Sequence, residues 1–139
     1  MNIFLIPSWY PSRGNPIAGH FIKNQAIALG EYHQNARVII SLWGNEGTKI
    51  NFEHPGEVFG RLLNYFQDKP YLKEVAPRVF EFNEPVLEWS ARFLKGNIHS
   101  IIKANIQNFQ KAQKKFGKID LIHAHVSFPA GFVAMKLAE

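Results

Sequence analysis

Two stretches of this chain are short and almost unbroken apolar runs: Asn2-Ile-Phe-Leu-Ile-Pro7 and Ala36-Arg-Val-Ile-Ile-Ser-Leu42. Runs of this length, without the alternation of a half-wet strand, suit parallel strands buried on both faces. Ile119-Asp-Leu-Ile-His-Ala-His125 reads as a further strand near the end of the chain. Between them the spacing turns helical. Ile17, Phe21, Ile22, Ala26 and Leu29 predict a first helix ending at Gly30. Gly44 to Gly56, rich in glycine and asparagine, reads as loop, and Val58 to Gln67 has the length of a short helix. Arg78-Val-Phe-Glu-Phe82 alternates polar and apolar, which predicts a further strand near the sheet edge. Leu87, Phe93, Leu94, Ile98, Ile101, Ile102, Phe109 and Phe116 predict a long helix, with Gly96 as the point of a bend and Gly117 as its end. Ser127-Phe-Pro129 predicts the start of a last helix, with serine as N-cap and proline in the first turn.

Strands and helices therefore alternate, which defines the α/β class. Right-handed crossovers predict a Rossmann-like, doubly wound parallel sheet with strand order 3-2-1-4. In that order the first and fourth strands are neighbours. The loops after Pro7 and after His125 then share one crevice at the carboxyl ends, where open α/β sheets bind ligands. The 139 residues, 46% hydrophobic, suffice for one domain. A fourth strand followed by one helix ordinarily leads to a fifth strand, so residues 1–139 are expected to form an incomplete domain.

Cysteine is absent, which excludes disulfides and thiolate metal sites and fits a reducing compartment. The opening apolar run is too short for a signal peptide and lacks its basic flank, and no segment has the length of a membrane span. Much of the +5 net charge sits between Lys103 and Lys118. The plain reading is a solvated helix face. The sharper one is a footprint on an anionic membrane surface. Nucleic acid is not expected as a partner, because the basic residues are not interleaved with stacking aromatics.

Several residues of the predicted crevice carry chemistry. Gly14 and Gly19 have a P-loop's glycine spacing, but the lysine and the Ser/Thr that hold phosphate and magnesium are missing. Gly19 opens the first helix. Without a Cβ it lets an anion or a sugar hydroxyl approach the helix amides, or it serves only close packing. His123 and His125 face the same way along a strand end. A metal would need a third ligand; none stands at matched spacing, and His20, from the neighbouring loop, is the residue that could converge on the pair. The commoner arrangement packs one histidine and leaves the other in the crevice; His33, His54 and His99 read as incidental. Trp9 and Tyr10 are either sugar-stacking rings or rings that pack their own loop. Arg13 and Lys23 are either contacts for an anionic ligand or solvated cations. Asp120 reads as strand-start chemistry.

The stretch "IPSWYPSRGNPIAGHFIKNQAIAL" resembles the beginning of the N-terminal domain of family 4 glycosyltransferases of the GT-B fold, and "KIDLIHAHVSFPAGFVAMKLAE" is similar to a later segment of that domain. Residues 44 to 90 carry no matching motif. The resemblance implies an enzyme that transfers a sugar from a nucleotide-sugar donor to a glycan or glycolipid acceptor with retention of configuration. It implies no cofactor and no essential metal, a cytoplasmic location or one at the inner face of the membrane, and a C-terminal domain that holds most of the donor. It places Gly19 and His20 at the donor diphosphate. His125 and Ser127, with Trp9, Tyr10, Arg13 and Lys23 further out, then line the acceptor side of the crevice. The family's functional histidine follows the next strand, beyond Glu139, so no catalytic role passes to His125, and this chain alone would hold half of an active site. A non-catalytic carbohydrate- or nucleotide-binding module using the same crevice is the alternative.

Overall fold

In the computed structural model the described residues are 1–12, 15–44, 48–51, 54–89 and 97–139. Arg13, Gly14, Phe93, Leu94 and Gly96 lie outside them. The main sheet holds β1 (Asn2–Pro7), β2 (Arg37–Leu42), β4 (Tyr71–Ala76), β5 (Val79–Asn83) and β7 (Leu121–His125). Two two-residue strands, β3 (Lys49–Ile50) and β6 (Glu88–Trp89), pair in parallel as a separate ribbon. The helices are α1 (His20–Tyr32), α2 (Pro55–Gln67), α3 (Ile98–Phe116) and α4 (Phe132–Ala138).

The α/β class stands, with a mixed and mostly parallel sheet. The order is β4-β5-β2-β1-β7, not the expected 3-2-1-4. The difference is β4, which pairs antiparallel with β5 and forms one edge, with β7 at the other. The β4 sequence carries little pattern, because Tyr71 to Glu74 are all exposed and only Val75 and Ala76 pack, half-buried, against the α1-side core. β5 is consequently interior. Its alternation is not that of a half-wet strand, since Val79, Glu81, Phe82 and Asn83 are all buried. β3 lies within the expected loop, and β6 occupies the expected start of the long helix, which begins instead at Ile98. The first helix runs past Gly30 to Tyr32. An added Cβ at Gly30 would lie 2.7 Å from the Pro77 carbonyl oxygen, so this glycine permits close packing of α1 on the β4–β5 turn rather than ending the helix.

Alternate strand residues feed two cores. Leu5, Val38, Ile40, Leu42 and Val79 pack under Ile22 and Ala26 of α1. Phe4, Ile6, Ile39 and Phe82 face Ile101, Ala104 and Ala112 of α3 and Val133 of α4 on the other side. The second core contains a polar clamp. The Ser41 hydroxyl donates to Asn105 Oδ1 at 2.6 Å, and Asn108 Nδ2 donates to the Leu42 carbonyl at 2.8 Å and the Phe82 carbonyl at 3.2 Å. These bonds fix α3 against the carboxyl ends of β2 and β5. At the opposite edge, the Asn2 amide donates to Asp120 Oδ2 at 2.7 Å, the strand-start role expected of Asp120.

Candidate functional site

β1 and β7 are parallel neighbours with Pro7 opposite His125. The chain therefore leaves both strands at the same rim, and the amino end of α1 closes over it: the Phe21 ring meets the His125 ring edge-on, with centroids 6.2 Å apart. Ser8, which the sequence reading did not single out, joins the two exits. Its Oγ accepts the Ala130 amide proton at 3.3 Å and donates to the His125 carbonyl at 3.4 Å. Phe21, Ser8 and His125 thus meet at one rim, with Gly19 and His20 at the start of the helix that carries Phe21 and Ser127 just beyond His125.

The helix mouth is more occupied than a bare glycine suggests. Gly19 has φ 63°, a left-handed conformation that favours glycine, and an added Cβ would lie 2.3 Å from the Trp9 carbonyl oxygen. The space beside its Cα therefore holds the backbone of the chain's own first loop. The His20 amide donates to the Ile17 carbonyl at 3.1 Å, and the amides of Ile22 and Lys23 turn back to the Gly19 carbonyl. His20 itself is exposed.

Tyr10 and Lys23 converge on Glu81, which the alternation of its strand marks only as a polar position. The Tyr10 hydroxyl donates to Glu81 Oε1 at 2.6 Å, and Lys23 Nζ lies 3.4 Å from the same oxygen and 5.7 Å from the Tyr10 ring centre. Burial, followed by the hydrogen bond to Glu81, pushes the Tyr10 phenol well above its ordinary range. Tyr10 accordingly packs its loop on the sheet, one of its two expected roles, and Lys23 is held in an ion pair. Trp9, in contrast, is 56% exposed. It joins Ile17, Phe21, Val126 and Phe128 as exposed apolar residues of the segments that meet at this rim.

His123 and His125 lie on one side of β7 with stacked rings, 4.6 Å between centroids. Burial, and secondarily the neighbouring His123, lowers the His125 pKa, favouring the neutral ring. Among the described residues no group of three or more His or acidic side chains could hold a metal ion.

Ser127 is exposed and makes no capping bond, so its expected N-cap role fails. Residues Ser127–Gly131 instead form a wide, irregular turn in which Phe128 is extended. Val126 enters that turn at φ 66°, ψ 158°, a region costly for a β-branched residue. The Gly131 amide fixes it by donating to the Val126 carbonyl at 3.1 Å.

No protein-family model matches the chain, and neither does any curated protein or solved structure. Among the described residues no helix is long and apolar enough to cross a membrane.

Proposed function

We propose that this chain is the acceptor-side, Rossmann-like domain of a GT-B glycosyltransferase that moves a sugar from a nucleotide-sugar donor to a glycan or glycolipid with retention. The observation that carries the reading is the shared rim. The two motif-bearing segments lie at opposite ends of the chain, yet Pro7 pairs with His125 and Phe21 covers it. A ligand seated there meets the positive end of α1 and the neutral His125 ring, with exposed Trp9 and Phe128 on the same segments.

In this reading the chain's own residues bind and orient. The α1 amino end attracts the donor diphosphate, His20 lies beside it, and Trp9 and His125 shape the acceptor side. Transfer itself needs groups of a C-terminal domain, so residues 1–139 bind without turning over. No cofactor or metal is part of the proposal, and the protein acts in the cytoplasm or at the inner face of the membrane.

One observation favours the non-catalytic module as second reading: the amides of His20, Ile22 and Lys23 are already engaged, which leaves fewer donors for a diphosphate. Calorimetric titration of the chain with nucleotide sugars, nucleoside diphosphates and free sugars separates the two. The transferase reading expects the diphosphate moiety to dominate affinity and the 139-residue chain to show no turnover. Binding of free sugars with indifference to the diphosphate supports the module. Robust transfer by this chain alone contradicts the half-site.

A further inference from the structure

A concavity of about 310 Å³, away from the rim, lies on the α3 side of the sheet, beyond the carboxyl end of β5. Its size is that of a pocket for one small molecule. Tyr65 of α2, Leu87 and Trp89 on the β5–β6 segment, and Ser100, Lys103 and Gln107 along the first turns of α3 line it.

The walls are held by buried polar groups rather than by chance contact. Asn97, 7% exposed at the mouth of α3, donates its amide to the Leu87 carbonyl, and its Oδ1 accepts the Trp89 amide proton at 3.5 Å. The Thr48 hydroxyl, fully buried, donates to the Val86 carbonyl at 3.4 Å. Both fix the one extended wall against its neighbours, so the groove exists before any ligand arrives.

Its chemistry is specific. Two aromatic residues supply flat apolar area, while Ser100 and Gln107 offer hydroxyl and amide groups. Lys103 is exposed, and among the described residues none of the ion pairs involves it. A ring with several hydroxyls and one negative charge matches that set better than a neutral sugar or a bare anion.

We propose that this groove binds an acidic saccharide, its ring against Tyr65 and Trp89 and its carboxylate at Lys103. The saccharide identity of the ligand rests on the transferase reading, whereas the groove and its lysine stand apart from it. The groove adds a site to the rim between α1 and β7, on the opposite face of the sheet.

The test is a residue-resolved NMR titration of the chain with glucuronate, glucose and inorganic phosphate, repeated with Lys103→Ala, Lys103→Arg and, as control, Lys114→Ala. Glucuronate is expected to move the Trp89 indole and the backbone of residues 100–107. Removing a charge-assisted bond at Lys103 should weaken it about tenfold, with Arg largely restoring it. The Lys114→Ala variant should bind as the parent does. Equal affinity for glucose and glucuronate, equal affinity for phosphate, or indifference to Lys103→Ala overturns the proposal. Signals from Phe21 and His125, followed with a nucleoside diphosphate in the same samples, report separately on the rim, so failure at one site is not mistaken for failure at the other.

Discussion

Tyr10 and Glu81, 71 residues apart in sequence, share a 2.6 Å hydrogen bond that ties the first loop to the interior strand β5. Glu81 is 6% exposed, and a carboxylate so buried needs partners. Tyr10 and Lys23 are those partners, and both belong to the segment that forms the rim. The loop is therefore placed by the sheet rather than left to drape over it.

Tyr10→Phe keeps the ring and removes the donor. A hydrogen bond to a charged group is worth about 1.5–3 kcal/mol, so denaturant unfolding should show a loss of that order. Glu81→Gln should cost less in the Tyr10→Phe background than alone, since the two residues share one interaction. Additive losses would separate them.

Gly19→Ala should destabilise the chain whether or not a ligand is present. The left-handed backbone costs an alanine about 1–2 kcal/mol, and the clash with the Trp9 carbonyl adds overpacking of similar size. Thermal unfolding measures the loss. An unchanged melting temperature would mean that the first loop does not rest on Gly19.

Val126→Gly should be neutral or stabilising, which is unusual for a strand exit. The side chain is 43% exposed, so little burial is lost. Relief of backbone strain of about 1–3 kcal/mol competes with the greater entropy of an unfolded glycine, about 0.5–1 kcal/mol. Denaturation midpoints of the two proteins decide the sign, and a clear loss contradicts the strained assignment.

The depressed pKa of His125 makes a pH prediction. Its folded form takes up a proton less readily than the unfolded chain, whose histidine titrates near about 6.5. Stability is thus fully present above that value and is lost as pH falls through the interval down to the folded pKa. His125→Gln should flatten this part of the pH–stability curve. Urea titrations across the interval check it, and an unchanged slope would assign the acid sensitivity elsewhere.

What was readable in the sequence follows from burial. β1 and β2 announce themselves because their runs are apolar, strand-sized and buried, whereas β7, an edge strand without a buried residue, is marked by Leu121, Ile122 and Ala124 between the breaks at Gly117 and Pro129; the helical spacing of Ile101, Phe109 and Phe116 marks α3 well before its end. β4 was unreadable because an exposed edge strand needs no apolar pattern. Glu81 was missed for the converse reason: a polar residue in an alternating strand looks solvent-facing until its partner, far away in the chain, is known. Asn105 and Asn108 did leave a signal. They stand on the same helical stripe as Ile101 and Ala112, where a polar residue must either be satisfied inside or break the face. For the site, the position of Gly19 and His125 along their elements was legible. That the Trp9 carbonyl fills the space beside Gly19 was not, because it depends on how the loop folds back.

The most direct measurement of the central claim is an NMR titration of the uniformly labelled chain with a nucleoside diphosphate, following the backbone amides of His20, Phe21, His125 and Ser127 together. The account predicts that these signals move with one common affinity, reporting one ligand on a rim built from both ends of the chain. Shifts confined to the lysines of α3, or separate affinities for the Phe21 and His125 signals, would contradict it.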